Sequence, residues 1–217
     1  MSIAVRYRRR DPGRKGLYIH GNRKLELGWT IGTSVVLVWL ALYQREAWAD
    51  IKQRFPKEAE NPVRIEVVAK QFSWFFIYPG KDGEFGTPDD VQAPEKELRV
   101  PAGRKIYLQA RSKDVIHSFF LPFLRVKQDI VPGITIPIWF EVDKDASGAY
   151  KTTEWMRTQL GDPKFQYDIA CAELCGQGHY TMNGILIVMT QSDYKAWEDS
   201  QIPDPLSPVT WGWKWEY

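Results

Sequence analysis

The sequence predicts a mainly β domain, a sandwich or barrel, that is anchored by an N-terminal transmembrane α-helix. Two patterns predict this: an uncharged apolar run near the N-terminus, and, from about residue 61, short segments rich in Val, Ile, Phe and Tyr between Gly, Pro and Asp. Apolar residues make up 44% of the chain and charged residues 26%, a balance that excludes wholesale disorder. The 217 residues therefore suffice for one folded domain plus an appendage.

The transmembrane helix is predicted over residues 27–48. Its uncharged core runs from Leu27 to Gln44 and, at about 1.5 Å per residue, spans roughly 27 Å, close to the hydrocarbon thickness of a bilayer. Trp29 and Trp48 stand near the two ends, as interfacial anchors do. The alternatives are a buried core helix and a signal peptide, but the run is too long for the latter and no small-residue cleavage site follows.

The charge distribution predicts the orientation of this helix. Lys and Arg total 29 against 27 acidic residues, so the net charge of +2 indicates no nucleic-acid partner. Basic residues are concentrated in the N-terminal segment 1–26, where residues 5–24 hold a single acid, Asp11. By the positive-inside rule, this segment is cytoplasmic and the β domain lies on the periplasmic side of the cell inner (cytoplasmic) membrane.

The β domain is predicted over residues 63–200, after a charged linker at 49–62 and before a C-terminal tail at 201–217. Helices are predicted at Thr153–Leu160 and Ser192–Asp199. Six segments are predicted as strands because they are short, apolar and bounded by turn residues: Val63–Ala69, Lys96–Val100, Lys105–Ala110, Thr135–Val142, Phe165–Ala170 and Gly184–Thr190.

The acidic stretch between residues 81 and 97 lacks the regular spacing of oxygen ligands in a calcium loop. A solvated loop is one interpretation, and an ion site or a patch that binds a basic partner is another. The sequence leaves these alternatives open.

Both cysteines of the chain belong to one segment, which contains Cys171, Cys175, His179 and Met182. Two glycines between them allow the tight turns that bring ligands together. Thiolate, imidazole and thioether groups together favour a soft transition metal, copper above all. A tetrahedral zinc site would leave Met182 unused, and a disulfide between the cysteines would leave the nearby His and Met unexplained.

A second histidine, His117, is predicted at the end of a strand-like run before a proline-containing loop. Alone it is an ordinary histidine of a β domain. Together with the cysteine segment it matches cupredoxin-type copper sites, which take one histidine from a distant strand and the other ligands from a single loop. Two thiolates, two histidines, a methionine and a backbone carbonyl can hold two copper ions that both sulfurs bridge.

From about residue 5 to residue 197, the chain resembles subunit II of the heme-copper cytochrome c oxidases. The motif C-x-E-x-C-G-x-G-H-x-x-M at 171–182 is highly specific for the binuclear copper centre CuA. Further landmarks occur in the expected order: H-G-N-x-K-L-E-x-x-W-T at 20–30, Q-F-x-W at 71–74 and D-V-I-H-S-F at 114–119. The resemblance implies a cupredoxin-like fold for the β domain.

The resemblance also implies roles for individual residues. Six residues match the ligands of the two copper ions, with Glu173 acting through its main-chain carbonyl: His117, Cys171, Glu173, Cys175, His179 and Met182. The Glu173 carboxylate is expected to bind magnesium shared with the catalytic subunit, and Glu26 matches a glutamate at the mouth of a proton pathway. The family has Trp where electrons are thought to enter; this chain has Phe72 there and Trp74 two residues later.

The implied function is electron transfer within a respiratory cytochrome c oxidase. The subunit would accept electrons from a c-type cytochrome or another periplasmic donor and pass them to the heme of the catalytic subunit I, which reduces oxygen to water and pumps protons. Its partners would be subunit I, other oxidase subunits and membrane lipid, and the chain alone would catalyse nothing. The family normally has two transmembrane helices, and Ala4–Arg10 resembles the cytoplasmic end of the first.

Two other functions share features with this sequence. Nitrous oxide reductase carries the same copper motif, but it is soluble and needs a large, histidine-rich catalytic domain that is not found in these 217 residues. A membrane-tethered copper carrier or sensor would favour an exposed, exchangeable site and would need neither Glu26 nor the segment 71–74.

Overall fold

The computed structural model describes residues 2–201, apart from residues 9, 14, 17 and 19. The C-terminal tail that the sequence predicts therefore lies, from residue 202 onward, outside the described residues. The chain divides into two compact units after Trp48.

The first unit contains helix α1 (Ser2–Arg6) and most of helix α2 (Arg23–Lys52). Asn22 caps α2, because its Oδ1 accepts hydrogen bonds from the backbone N–H groups of Lys24 and Leu25 at 3.1 and 3.2 Å. The helix is long and apolar enough to cross a membrane, and no residue of its apolar window is buried. The predicted span at 27–48 lies within α2, which continues into the predicted linker as far as Lys52.

The second unit is built mainly from two five-stranded β-sheets, so the predicted mainly β architecture is confirmed. The first sheet has the strand order β3-β2-β1-β5-β8 and the second β4-β10-β9-β6-β7. The strands are β1 (Val63–Lys70), β2 (Ser73–Tyr78), β3 (Val91–Gln92), β4 (Glu97–Pro101), β5 (Ile106–Ser112), β6 (His117–Leu121), β7 (Val126–Ile130), β8 (Ile136–Phe140), β9 (Tyr167–Cys171) and β10 (Asn183–Met189).

The core lies between these sheets. In β5, for example, Ile106, Leu108 and Ala110 are buried while the residues between them are partly exposed, the alternation of a strand with one face on the core. One cluster of buried side chains combines residues of both sheets, among them Leu108 of the first sheet and Ile169 of the second. This packing fixes the strand ends from which the metal-binding segment projects.

All six predicted strands are present, with bounds that differ by at most two residues, but the strand-like run before His117 is misplaced. His117 is the first residue of β6 rather than the end of a strand. The preceding residues form a turn in which the Asp114 carboxylate accepts a hydrogen bond from the N–H of Val115 at 2.7 Å. Val115 and Ile116 are apolar yet exposed, which explains why their pattern resembles a strand.

Two helices accompany the sheets. Helix α3 spans Thr153–Leu160 as predicted, with the Thr152 hydroxyl accepting from the N–H of Trp155 at its start and Gly161 in the left-handed conformation at its end. Helix α4 spans Gln191–Gln201, slightly longer than predicted. The ring of its Trp197 packs edge-on against that of Tyr78, with the ring centroids 5.0 Å apart.

Candidate metal centre

The predicted copper ligands lie on one loop and on one neighbouring strand. The loop, called the metal loop below, runs from Cys171 at the end of β9 to Met182 just before β10. The Cys171 N–H donates to the Met182 carbonyl at 3.1 Å, which closes the loop at its base. Because β6 pairs with β9 through Phe119 and Cys171, His117 at the start of β6 lies beside the loop.

The sulfur and nitrogen atoms of the five predicted side-chain ligands are close together. The two cysteine Sγ atoms are 3.8 Å apart. Cys171 Sγ lies 3.9 Å from His117 Nδ1. On the other side, Cys175 Sγ lies 3.6 Å from His179 Nδ1 and 3.7 Å from Met182 Sδ. Both cysteines are free thiols, so the structure shows no disulfide between them.

The main-chain carbonyl and the side-chain carboxylate of Glu173 lie in different environments. Its main-chain carbonyl oxygen lies 3.2 Å from Cys171 Sγ, where it adds an oxygen donor to the cluster. Its side chain is exposed to solvent. The magnesium role that the resemblance implies for the carboxylate stays a prediction.

His117 is oriented by a carboxylate. Its Nε2 lies 2.8 Å from Asp114 Oδ1, and the ring is fully buried. If Nε2 carries the proton and donates it to Asp114, the lone pair of Nδ1 is directed at the cysteine cluster, the arrangement common among metal-bound histidines. Sequence reasoning assigned no role to Asp114, although it lies three residues before His117 in the same motif.

Without a bound metal, the two thiols have very different pKa values. Burial opposes ionisation of Cys171, but hydrogen bonds with His117 and the backbone of Ser118 lower the pKa of this thiol to about 6. Burial and the charge of ionised Cys171 raise the pKa of Cys175 to about 11. Burial lowers the pKa of His117, but hydrogen bonds with Cys171 and Asp114 outweigh it and raise the value. As the pH rises, the Cys171 thiol therefore ionises well before the Cys175 thiol.

The donor set fits copper. Two sulfurs, two imidazole nitrogens, a thioether and a carbonyl oxygen converge on one spot, where four of the residues are buried: His117, Cys171, Cys175 and Met182. Soft sulfur ligands favour copper over hard cations. His117, Cys171 and Cys175 have their ligand atoms within 4.8 Å of one another. These six donors exceed the four that a tetrahedral zinc ion accepts, which argues against the zinc alternative.

The turn between β1 and β2 reaches the metal loop from the other sheet. The Gln71 side-chain Nε2 donates a hydrogen bond to the Cys175 carbonyl oxygen at 2.6 Å. The Phe72 ring lies over the loop glycines so closely that a methyl group at Gly178 would sit 2.5 Å from it. Phe72 is half-buried and so keeps partial contact with solvent.

Trp74 occupies a different environment from Phe72. It is fully buried, with its ring 5.5 Å from that of Phe119 and 6.2 Å from that of His117, both edge-on. Trp74 was predicted to belong to the electron entry site. This prediction is wrong in one respect: the buried Trp74 ring cannot touch an electron donor. The structure places this ring in the core behind His117, and of the two aromatics only Phe72 reaches the surface.

The acidic stretch lies at the far end of β2. This strand begins at Ser73 beside the metal loop and ends at Tyr78, about 17 Å away at the usual rise per residue. Asp89 and Asp90 accept hydrogen bonds from backbone N–H groups of their own loop, those of Lys81 and Gly86 at 2.6 and 2.7 Å. These contacts favour the interpretation as a solvated loop.

Glu26 belongs to the other unit of the chain. It lies exposed in the first turn of α2, and its N–H donates to the Asn22 carbonyl at 2.9 Å. No feature of the described residues tests its role in a proton pathway, which stays a prediction.

Comparison with known proteins identifies the family. Residues 71–190, more than half of the chain, match the family described as cytochrome C oxidase subunit II, periplasmic domain. The chain belongs to the cytochrome c oxidase subunit II family. Members of this family are components of an oxidoreductase complex, and the histidine–cysteine cluster is consistent with their copper site.

Individual relatives agree with this assignment. The alternative cytochrome c oxidase subunit 2 of Bradyrhizobium diazoefficiens is 29% identical over 87% of this chain and 68% of its own length. The cytochrome c oxidase subunit 2 of Alkalihalophilus pseudofirmus is 32% identical over 95% of this chain and 53% of its own length. The chain thus spans between about half and two thirds of these relatives.

Among solved structures, the periplasmic domain of subunit II of cytochrome oxidase from Bradyrhizobium japonicum is similar to this chain. It is 26% identical, with a TM-score of 0.47, and the match covers 64% of this chain and 92% of that domain.

Proposed function

We propose that this chain is the electron-transfer subunit of a respiratory cytochrome c oxidase and holds the binuclear copper centre CuA. The observation that carries the proposal is the pair of thiols 3.8 Å apart, each with its own histidine within 4 Å. Cys171 Sγ lies near His117 Nδ1 and the Glu173 carbonyl oxygen, and Cys175 Sγ lies near His179 Nδ1 and Met182 Sδ. Two ions that share both sulfurs would have four further donors available between them: His117, the Glu173 carbonyl, His179 and Met182.

Copper held by these residues would take up and release single electrons, with the charge shared by both ions. The protein keeps the donors in place while this occurs. His117 is fully buried, and Met182, Cys175 and Cys171 are 1%, 3% and 9% exposed, so little of the sulfurs is in contact with water. The donors project from paired strands or from a loop closed at its base, so they have little freedom to rearrange. Such burial disfavours the exchangeable site that a copper carrier would need.

Electron paramagnetic resonance of the copper-loaded, full-length chain tests this assignment. Two copper ions per chain and one unpaired electron coupled to both nuclei are expected. Coupling to a single copper nucleus would contradict the proposal.

The proposed location is the inner membrane, with residues 1–26 in the cytoplasm and the β domain in the periplasm. The basic segment before the apolar part of α2 supports this orientation. A reporter enzyme fused after Gln201 should be active in the periplasm only, and activity of this fusion in the cytoplasm would refute the orientation.

The proposed electron acceptor and neighbour is subunit I. Its heme reduces oxygen, and this reaction is coupled to proton pumping. The exposed Glu173 carboxylate is suited to bind magnesium at their interface, because the copper site uses only its carbonyl. In the assembled oxidase, Glu173→Gln should preserve the copper spectrum and weaken magnesium or manganese binding about 10-fold or more.

The control for this substitution is Glu58→Gln, which changes an exposed glutamate in the turn before β1. Metal content and manganese resonance would be measured in both variants. Loss of copper with retained magnesium in Glu173→Gln would show that the two roles of Glu173 are assigned the wrong way round.

The proposed donor is a c-type cytochrome that docks at the metal loop beside Phe72. Truncation of a residue that contributes strongly to an interface costs more than about 1 kcal/mol, so Phe72→Ala should slow electron uptake about fivefold or more. Neutralising both Asp89 and Asp90 should have a smaller effect that disappears with added salt, because their loop lies at the far end of β2 and acts only at long range.

Phe123→Ala is the matched control, since Phe123 is also an exposed aromatic but packs against Phe165 and Tyr167. Rapid-mixing kinetics with the reduced cytochrome would be recorded at several salt concentrations. Equal rates for Phe72→Ala and Phe123→Ala would mean that electrons enter elsewhere.

A further inference from the structure

The turn at Gln71 connects the two parts of the chain that supply the metal ligands. One part is the metal loop, where the Gln71 side-chain amide donates to the Cys175 carbonyl at 2.6 Å. The other is the turn before β6, where the Gln71 backbone N–H donates to Asp114 Oδ2 at 2.7 Å. A single residue in the turn between β1 and β2 thus contacts both the metal loop and the turn that precedes His117.

Asp114 extends this connection to a metal ligand. While its Oδ2 accepts from Gln71, its Oδ1 lies 2.8 Å from His117 Nε2 and accepts from the N–H of Val115 at 2.7 Å. Hydrogen bonds therefore lead from the Cys175 peptide through Gln71 and Asp114 to the His117 ring. The path therefore joins a ligand on the metal loop to the ligand at the start of β6.

The loop sequence leaves room for this contact. Gly176 has a φ of +136°, in the region that favours glycine. A methyl group on Gly176 would lie 2.8 Å from Gln71 Nε2 and 3.2 Å from the Phe72 ring. A side chain at this position would therefore push Gln71 away from the Cys175 carbonyl.

We propose that Gln71 is a positioning residue that couples the position of Cys175 on the metal loop to that of His117 at the start of β6. Its amide fixes the orientation of the Cys175 peptide, and so the direction of the Cys175 side chain. Its backbone holds Asp114, which orients His117. This inference rests on the proposed copper site, but it concerns how the protein arranges the donors rather than which metal they bind.

The test compares the wild-type full-length chain with Gln71→Met, which removes the amide donor and keeps the length of the side chain. Outer partners of metal ligands typically contribute 10- to 100-fold to metal affinity. Gln71→Met should therefore weaken copper binding by about that factor in competition with a copper chelator. Its electron paramagnetic resonance spectrum should show unequal coupling to the two copper nuclei, while thermal unfolding of the copper-free chain stays close to that of the wild type.

The matched control is Gln109→Met, the same substitution in β5 of the same sheet, at a partly exposed position between two buried residues. Equal copper affinity and an equal spectrum in Gln71→Met and Gln109→Met would overturn the inference. A wild-type chain that fails to bind two copper ions would instead overturn the proposed function, so the two failures are distinguishable.

A second variant keeps the inference testable if Gln71→Met lowers the unfolding temperature of the copper-free chain. Gln71→Asn retains the amide but shortens its reach by one methylene, so it cannot span to the Cys175 carbonyl from the same backbone position. Reduced copper affinity and unequal coupling are again expected. Wild-type values for both would overturn the inference.

Discussion

Replacing either cysteine by serine is expected to abolish the two-copper centre. In the structure the two sulfurs are 3.8 Å apart, and each has its own nitrogen donor within 4 Å. A serine hydroxyl is a hard donor that is not ionised at neutral pH, so it cannot replace a thiolate that bridges two soft ions. Cys171→Ser and Cys175→Ser should each bind at most one copper ion per chain, with the unpaired electron on a single nucleus.

Copper content and electron paramagnetic resonance of the full-length variants measure this effect. Thr181→Ser is a suitable control, because it alters a side chain of the same loop yet keeps the hydroxyl that donates to the Gly178 carbonyl at 2.7 Å. This control should bind two copper ions. If Cys175→Ser kept two ions that share an electron, the bridging role of the sulfurs would be wrong.

Trp74→Ala should destabilise the domain by about 3–5 kcal/mol, the usual cost of emptying the site of a large buried aromatic. Trp74 is fully buried and packs edge-on against the rings of His117 and Phe119. Its indole N–H has no hydrogen-bond partner among the described residues. Trp74→Phe should therefore cost much less, because it keeps most of the ring contact and removes an unsatisfied donor.

Denaturant unfolding of the copper-free chain would give these free energies. Phe76→Ala is the matched control: Phe76 is also fully buried in β2 and packs on Phe119, at 6.4 Å, two residues further from the metal loop. Both alanine variants should lose stability, but only Trp74→Ala should also weaken copper binding, because it removes the packing behind His117. Equal copper affinity in the two variants would show that Trp74 acts only as a core residue.

Most of the fold was predictable because strand signals in this chain are local. The six strands that combine β-forming residues with flanking turn residues were found, and so was helix α3. Four strands were missed: β2, β3, β6 and β7. Strand β2 is buried along nearly its whole length, so it lacks the alternation that marks a half-exposed strand. Strand β7 is polar, and its pairing with β6 determines its conformation.

The site was partly predictable for a similar reason. Cys171, Cys175, His179 and Met182 occupy one short segment, and their spacing alone indicates soft metal ligands. Gln71 and Asp114 could not be assigned roles, since their contacts join residues far apart in the chain and depend on how the two sheets approach each other. Their only signal was membership of the motifs at 71–74 and 114–119.

The sequence by itself determined the chemistry of this protein: two thiols, an imidazole and a thioether in one loop, after an apolar helix with a basic flank. These properties follow from residue identity and spacing along the chain. Only the tertiary structure decided that Trp74 is buried while Phe72 reaches the surface, and that the acidic loop lies at the far end of β2 from the metal loop. Burial and distance are properties of the packed sheets, because side chains adjacent in sequence can face the core or the solvent according to what packs against them.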